Sequence, residues 1–176
     1  NAEDVAQLLA HTSNLRGVVH AAGVLDDGML MHQSPKRFLK VAGPKVSGAW
    51  NLHIQTKDLP LDFFVLFSSV ASIIGSPGQS NYAAANAFMD GLAHHRKHQG
   101  LVATSINWGP WSDVGMAASD VVLQRLMKDG WQPMNASQGC DFIGHLLKVC
   151  KLPQAAVLPV DWRQFATSIP GAVNWN

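Results

Sequence analysis

DFFVLFSSVASIIGSPGQSNYAAANA, residues 62–87, decides the fold. The run from Asp62 to Phe67, closed by two serines, reads as a strand buried on both faces, as in parallel sheets. Gly75-Ser76-Pro77-Gly78 reads as loop. From about Ser80 to Gln99 the pattern is helical, and Gly100 is placed to cap the end.

Outward from that stretch, Gly17-Val18-Val19-His20-Ala21-Ala22-Gly23 is a β-branched run that opens onto small residues, a second strand and its loop. Ser34-Pro35 supplies an N-cap and a proline at the first helical position. The helix it starts runs to about Thr56, with Gly43-Pro44 as a kink or boundary. Val102 to Asn107 is a further strand, followed by the turn Trp108-Gly109-Pro110-Trp111. Helical patterns cover about 117–129 and 137–148, Ala155 to Val160 is a last strand, and 3–12 is a short amphipathic helix. The expected organisation is a catalytic portion over 1–167, including a lid at 108–130, and a tail over 168–176. Strand and helix alternating in this order give an α/β fold, a Rossmann-like parallel sheet with helices on both faces. Ligands of such sheets bind at the carboxyl ends of the strands, where Ala21–Asp27, Ser68/Ser69 and Asn107–Pro110 fall. No G-x-G-x-x-G occurs in the chain. Either the chain does not hold a dinucleotide, or the glycine-rich half of the fold lies upstream of Asn1.

Composition narrows the class. Apolar residues make up 47% of the 176 and charged ones 14%, enough to build a core and too few charges for a disordered chain. A net charge of +1, with no basic run interleaved with aromatics, argues against nucleic acid. The longest apolar stretches are strand-sized, so no membrane span is expected, and no leader is read at the start. Cys140 and Cys150, ten apart in a helical pattern, suit neither zinc nor a local disulfide and read as buried thiols of a reducing, cytoplasmic compartment. His94 and His98 stand at i, i+4 beside Arg96 and Lys97, which reads as a solvated helix end; no metal site is expected.

Tyr82 is the only tyrosine. It shares a helix face with Asn86, four residues on, and follows Ser69 by a loop long enough to fold strand end against helix start. A hydroxyl and a phenol can grip one carbonyl oxygen from two sides. Reduction of a ketone needs a proton at oxygen as hydride reaches carbon. A phenol, with a pKa of about 10, gives it more easily beside an ammonium. Lys45, among the largely apolar Val46, Ala49, Trp50 and Leu52, is the candidate cation. Ser69 would hold the developing alkoxide, a contribution of roughly 3 kcal/mol if preorganised.

Four stretches, GVVHAAGVLDD (17–27), PKVSGAWNLH (44–53), FVLFSSVASIIGSPGQSNYAAANAFMD (64–90) and SINWGPW (105–111), resemble the ketoreductase domain of modular type I polyketide synthases, within the short-chain dehydrogenase/reductase superfamily. The resemblance covers nearly the whole chain and implies the C-terminal portion of that fold, its glycine-rich N-terminal half not included. It places the family's serine on Ser69, tyrosine on Tyr82, lysine on Lys45 and asparagine on Asn86. It also implies cofactor contacts along His20, Ala21, Ala22 and Gly23, at Lys45 and Tyr82, and at Asn107, Trp108 and Gly109. The implied reaction is reduction of a β-ketoacyl thioester by NADPH. The substrate would ride the phosphopantetheine arm of an acyl carrier protein, beside neighbouring domains of one megasynthase. Leu25-Asp26-Asp27, with Pro77 and Asn81, matches the B-type pattern and implies a D-configured 3-hydroxyl; Ile74 stands where A-type domains have tryptophan. Helix 117–129 resembles the lid, with Met116 and Met127 as candidate acyl contacts or ordinary core packing, and Trp162 marks the family's C-terminal boundary, with packing as its role. A reductase of a free small ketone and a non-catalytic half-domain are the competing readings.

Overall fold

A computed structural model describes residues 1–114, 120–149 and 151–168; Met116, Cys150 and 169–176 lie outside the described residues. The chain divides into two compact units, Asn1–Asn107 with Lys151–Ala156, and Trp108–Cys150 with Val157–Asn176.

In the first unit, α1 (Ala2–Ala10) starts at Asn1, whose side chain accepts from the Asp4 N–H while Asp4 reaches back, a capping box. It leads to β1 (Gly17–His20), α2 (Pro35–Ala42), a π turn (Gly43–Ser47) and α3 (Gly48–Thr56). Then follow β2 (Phe63–Ser69), α4 (Ala71–Ile74), α5 (Ser80–His98) and β3 (Thr104–Trp108). With β4 (Gln154–Val157) the sheet order is β1-β2-β3-β4. β1 pairs with β2 in parallel, Val18 against Phe64 and His20 against Leu66. Phe64, Leu66, Met89, Leu92 and Ala93 form the core between β2 and α5. Gly100 takes φ +77°, the left-handed conformation that ends α5.

The expected break at Gly43-Pro44 is instead a π turn within one continuous helical path. Pro44 has no N–H to give, and the Gly48 N–H bonds the Gly43 carbonyl rather than that of Pro44. The Pro44 carbonyl is thereby freed, and His20 Nε2 donates to it at 3.0 Å.

The expectation of a solvated end to α5 holds for His94 and His98, which are exposed, and fails for Arg96, which is 1% exposed. Its guanidinium lies 3.9 Å from the Phe64 ring centroid, donates Nε–H to the Val102 carbonyl at 3.1 Å, and donates to His53 Nδ1 at 3.1 Å. Burial pushes its pKa down to about 10. The side chain is a packing element as much as a charge. Arg96→Ala is expected to lower stability by about 2–4 kcal/mol, measured by urea denaturation.

The second unit holds α6 (Asp120–Lys128), α7 (Ala136–Val149) and α8 (Trp162–Ser168). One expectation is corrected here, and two others take a more definite form. Cys140 is exposed rather than buried: Gly139 packs against the Trp111 ring, which turns the next residue outward. Trp162 is 63% exposed but packs edge-on against the buried Phe165, ring centroids 6.0 Å apart. Met127, with Val121 and Val122, is exposed on α6, which excludes core packing for it and does not bear on acyl contact. Among the described residues no helix is long and apolar enough to cross a membrane, and no group of three or more His, Cys, Asp or Glu could hold a metal ion.

Candidate active site

β2 ends at Ser69, and α4 then turns the chain into the loop before α5, whose first turn carries Asn81 and Tyr82. The Ser69 hydroxyl accepts from the Ala71 N–H at 3.2 Å, which fixes the turn out of the strand. The Tyr82 phenol is buried, and side-chain hydrogen bonds with Asn86 and Ser69 favour its ionised form. Asn86 is fully buried; its amide donates to the Tyr82 carbonyl at 2.8 Å, and its Oδ1 has no partner among the described residues.

Lys45 comes from the π turn and is 3% exposed. Its ammonium donates to the Phe67 carbonyl at 3.1 Å and lies over the Tyr82 ring, 5.2 Å from the centroid. Burial pushes its pKa down to about 8 against the opposing attraction of Asp90. Ser69, Tyr82, Asn86 and Lys45 are therefore brought together.

The expected lowering of the phenol pKa is not what this arrangement produces. Burial outweighs the two hydrogen bonds, with Asp27 adding repulsion, and the Tyr82 pKa is raised. The ammonium sits over the ring face, and its hydrogen bond goes to a backbone carbonyl. The phenol is held protonated, ready to donate.

The loop after β1 is anchored to the same helix start. The Asn81 amide donates to the Asp26 carbonyl at 2.8 Å, and its Oδ1 accepts from the Tyr82 N–H at 2.8 Å. Asp26 pairs with Arg37 at 2.5 Å and Lys40 at 3.1 Å, which hold its carboxyl below the usual range. Asp27 accepts from Gln79 at 2.9 Å, and the Gly28 N–H bonds the Gly78 carbonyl. Leu25 packs beside Tyr82, Val41 and Ala85. Pro77 is exposed at the loop tip.

The other residues assigned to cofactor contact divide. Ala21 and Ala22 are exposed at the carboxyl end of β1, and Gly23 lies so close to Lys45 that a Cβ there would stand 2.9 Å from its Cε. His20 is buried and engaged with Pro44. The Asn107 side chain is fully buried, its Oδ1 accepting from Gln154 at 2.9 Å. Trp108 and Gly109 belong to the second unit, where Trp108 stacks edge-on with Trp111 and the Gly109 N–H bonds the Val157 carbonyl. Sequence reasoning missed Asp90, Ser72 and Ser105, polar residues packed with Ser68 beneath Ser69; the one signal was a carboxylate at position 90 on the apolar side of α5.

Residues 1–113 match the KR domain family. The chain is 45% identical over 164 residues to polyketide synthase GfsA of Streptomyces halstedii, covering 93% of this chain and 2% of that protein. It is 45% identical over 174 residues to the phenolphthiocerol synthesis polyketide synthase type I Pks15/1 of Mycobacterium bovis, covering 94% of this chain and 8% of that one. Among solved structures, an A1-type ketoreductase superposes with a TM-score of 0.90 at 38% identity, covering 96% of this chain and 36% of its own. A C2-type ketoreductase from a modular polyketide synthase gives 0.87 at 30% identity, with 95% and 37% covered. The chain thus spans a small part of its curated relatives and well under half of the solved domains.

Proposed function

The chain belongs to the KR domain family, and on that premise we propose that it carries the proton-donating side of a site that reduces β-ketoacyl thioesters during polyketide assembly. The observation that supports this most directly is the buried cluster of Tyr82, Ser69, Asn86 and Lys45. Tyr82 gives its proton to the ketone oxygen, Ser69 donates a second hydrogen bond to that oxygen, and Asn86 orients the phenol. Lys45 supplies positive charge beneath the ring, which favours phenolate once the proton has left.

The residues present fit the ribose end of a nicotinamide cofactor. The ammonium of Lys45 has three N–H groups and, among the described residues, one hydrogen-bond acceptor, the Phe67 carbonyl. The remaining donors suit sugar hydroxyls, and Ala21, Ala22 and Gly23 leave room for them. Bound there, NADPH would supply the hydride. No glycine-rich motif for its pyrophosphate occurs in these 176 residues.

We assign the D-configured 3-hydroxyl product to the loop Leu25-Asp26-Asp27. It is tied to the start of α5 by Asn81 and to α2 by Arg37, so one wall beside Tyr82 is rigid. The arm of an acyl carrier protein then has a restricted direction of entry. The test is turnover, by the protein as its gene encodes it, of matched carrier-bound and free β-ketoacyl thioesters with NADPH, followed by chiral analysis. Faster turnover of the carrier-bound substrate with a D-alcohol is expected. An equal rate on a free small ketone would overturn the carrier assignment, and an L-alcohol the stereochemical one.

A further inference from the structure

Below Ser69 lies a carboxylate that the proposed reaction does not use. Asp90 is 8% exposed on α5, and among the described residues no ion pair includes it. Neutral donors satisfy it instead. Its Oδ1 accepts from the Ser105 hydroxyl at 2.6 Å; its Oδ2 accepts from the Ser72 hydroxyl at 2.6 Å and the Asn107 amide at 2.9 Å. Burying a carboxylate with no cation beside it costs free energy unless its oxygens are met by donors, and here three neutral donors meet them.

The network runs from there to the serine. The Ser72 hydroxyl lies 2.6 Å from Asp90 and 2.8 Å from the Ser69 carbonyl, but it has one proton, and the charged acceptor takes it. The Asn107 amide has two, and its shortest contacts are Ser72 at 2.8 Å and Asp90 at 2.9 Å. Ser68, also in reach of Asn107, donates to the Asn86 carbonyl at 3.3 Å. The carboxylate thus anchors Ser72 and Asn107, and Ser72 lies in α4, whose Ala71 N–H bonds the Ser69 hydroxyl.

We propose that Asp90 is a positioning residue for the reduction, one that fixes the Ser69 turn through Ser72 and Asn107. The inference rests on the reductase reading above, and wild-type turnover of a β-ketoacyl thioester with NADPH is the control that separates the two. In Asp90→Asn kcat is expected to fall about tenfold or more, with KM for NADPH unchanged within about twofold. In Ser72→Ala, which keeps the carboxylate and loses one arm, kcat should fall about threefold or more, again with KM for NADPH unchanged within about twofold. An unchanged kcat in Ser72→Ala overturns the proposal, whether or not Asp90→Asn folds, and so does a KM for NADPH that rises in step with the fall in kcat. If wild type reduces no β-ketoacyl thioester, the reductase reading is what fails.

Discussion

Tyr82→Phe is expected to remove ketone reduction, leaving less than about one part in a hundred of the wild-type rate, in line with the loss of a general acid. The phenol is the group placed to give a proton; Ser69 can hold the oxygen by a hydrogen bond, and its aliphatic hydroxyl is a far weaker acid. Phenylalanine keeps the ring in the cluster with Val41, Ala71 and Ala85, and keeps a π-face beneath the Lys45 ammonium. Stability should therefore change by only about 1 kcal/mol, the value of a buried hydroxyl's hydrogen bonds. NADPH affinity, read by fluorescence titration, should be unchanged within about twofold, because the lysine donors toward the ribose are untouched. The raised phenol pKa adds a condition: the proton is present throughout the neutral range, so phenol ionisation does not limit the rate there. Retention of a tenth or more of the wild-type rate would show that the proton comes from elsewhere.

How much of this was legible before the coordinates differs from element to element. β1, β2 and β3 lie where apolar runs bounded by Gly, Ser and Asn put them, because a strand buried on both faces leaves few polar positions to confuse the pattern. α4 was not foreseen: four residues, Ala-Ser-Ile-Ile, have no period to read, and their helix is dictated by the Ser69 turn before them. α8 is hidden for the same reason of length. The Gly-Pro step at 43–44 reads as a break because proline removes a hydrogen bond, and only the partners of the Gly48 N–H and the Pro44 carbonyl reveal a π turn. At the site, the four candidate residues are legible by type and spacing, and the structure brings them together. The direction of the phenol's pKa could not be found so, since it depends on how burial compares with two hydrogen bonds. Asp90 escaped because a carboxylate on a helix ordinarily reads as surface; its meaning depends on Ser72, Ser105 and Asn107, which come from two other elements.

Lys45→Met should separate the cost of the site from its use. Keeping an ammonium 3% exposed lowers its pKa from 10.5 to about 8. A drop of about 2.5 units, at about 1.4 kcal/mol each, makes the charged lysine destabilising by about 3 kcal/mol at neutral pH. Below pH 8 the lysine is protonated in both folded and unfolded chains, so the penalty is fully present. Between pH 8 and 10.5 the unfolded chain binds the extra proton and the folded one does not, so wild-type stability rises with pH across that window. Methionine fills the same space without charge, but it leaves the Phe67 carbonyl without the lysine's hydrogen bond, worth about 1 kcal/mol. The variant should therefore be more stable than wild type by about 1–3 kcal/mol at pH 7, and this advantage should shrink by pH 10, as followed by urea denaturation. Reduction should fall by about a hundredfold or more, with weaker NADPH binding, because both the ribose donors and the charge beneath the ring are gone. Gain of stability with loss of rate is the signature of a strained group retained for chemistry. A variant less stable than wild type at pH 7 would mean that the ammonium is a structural strut, held in place by Phe67 and Asp90 for the fold itself.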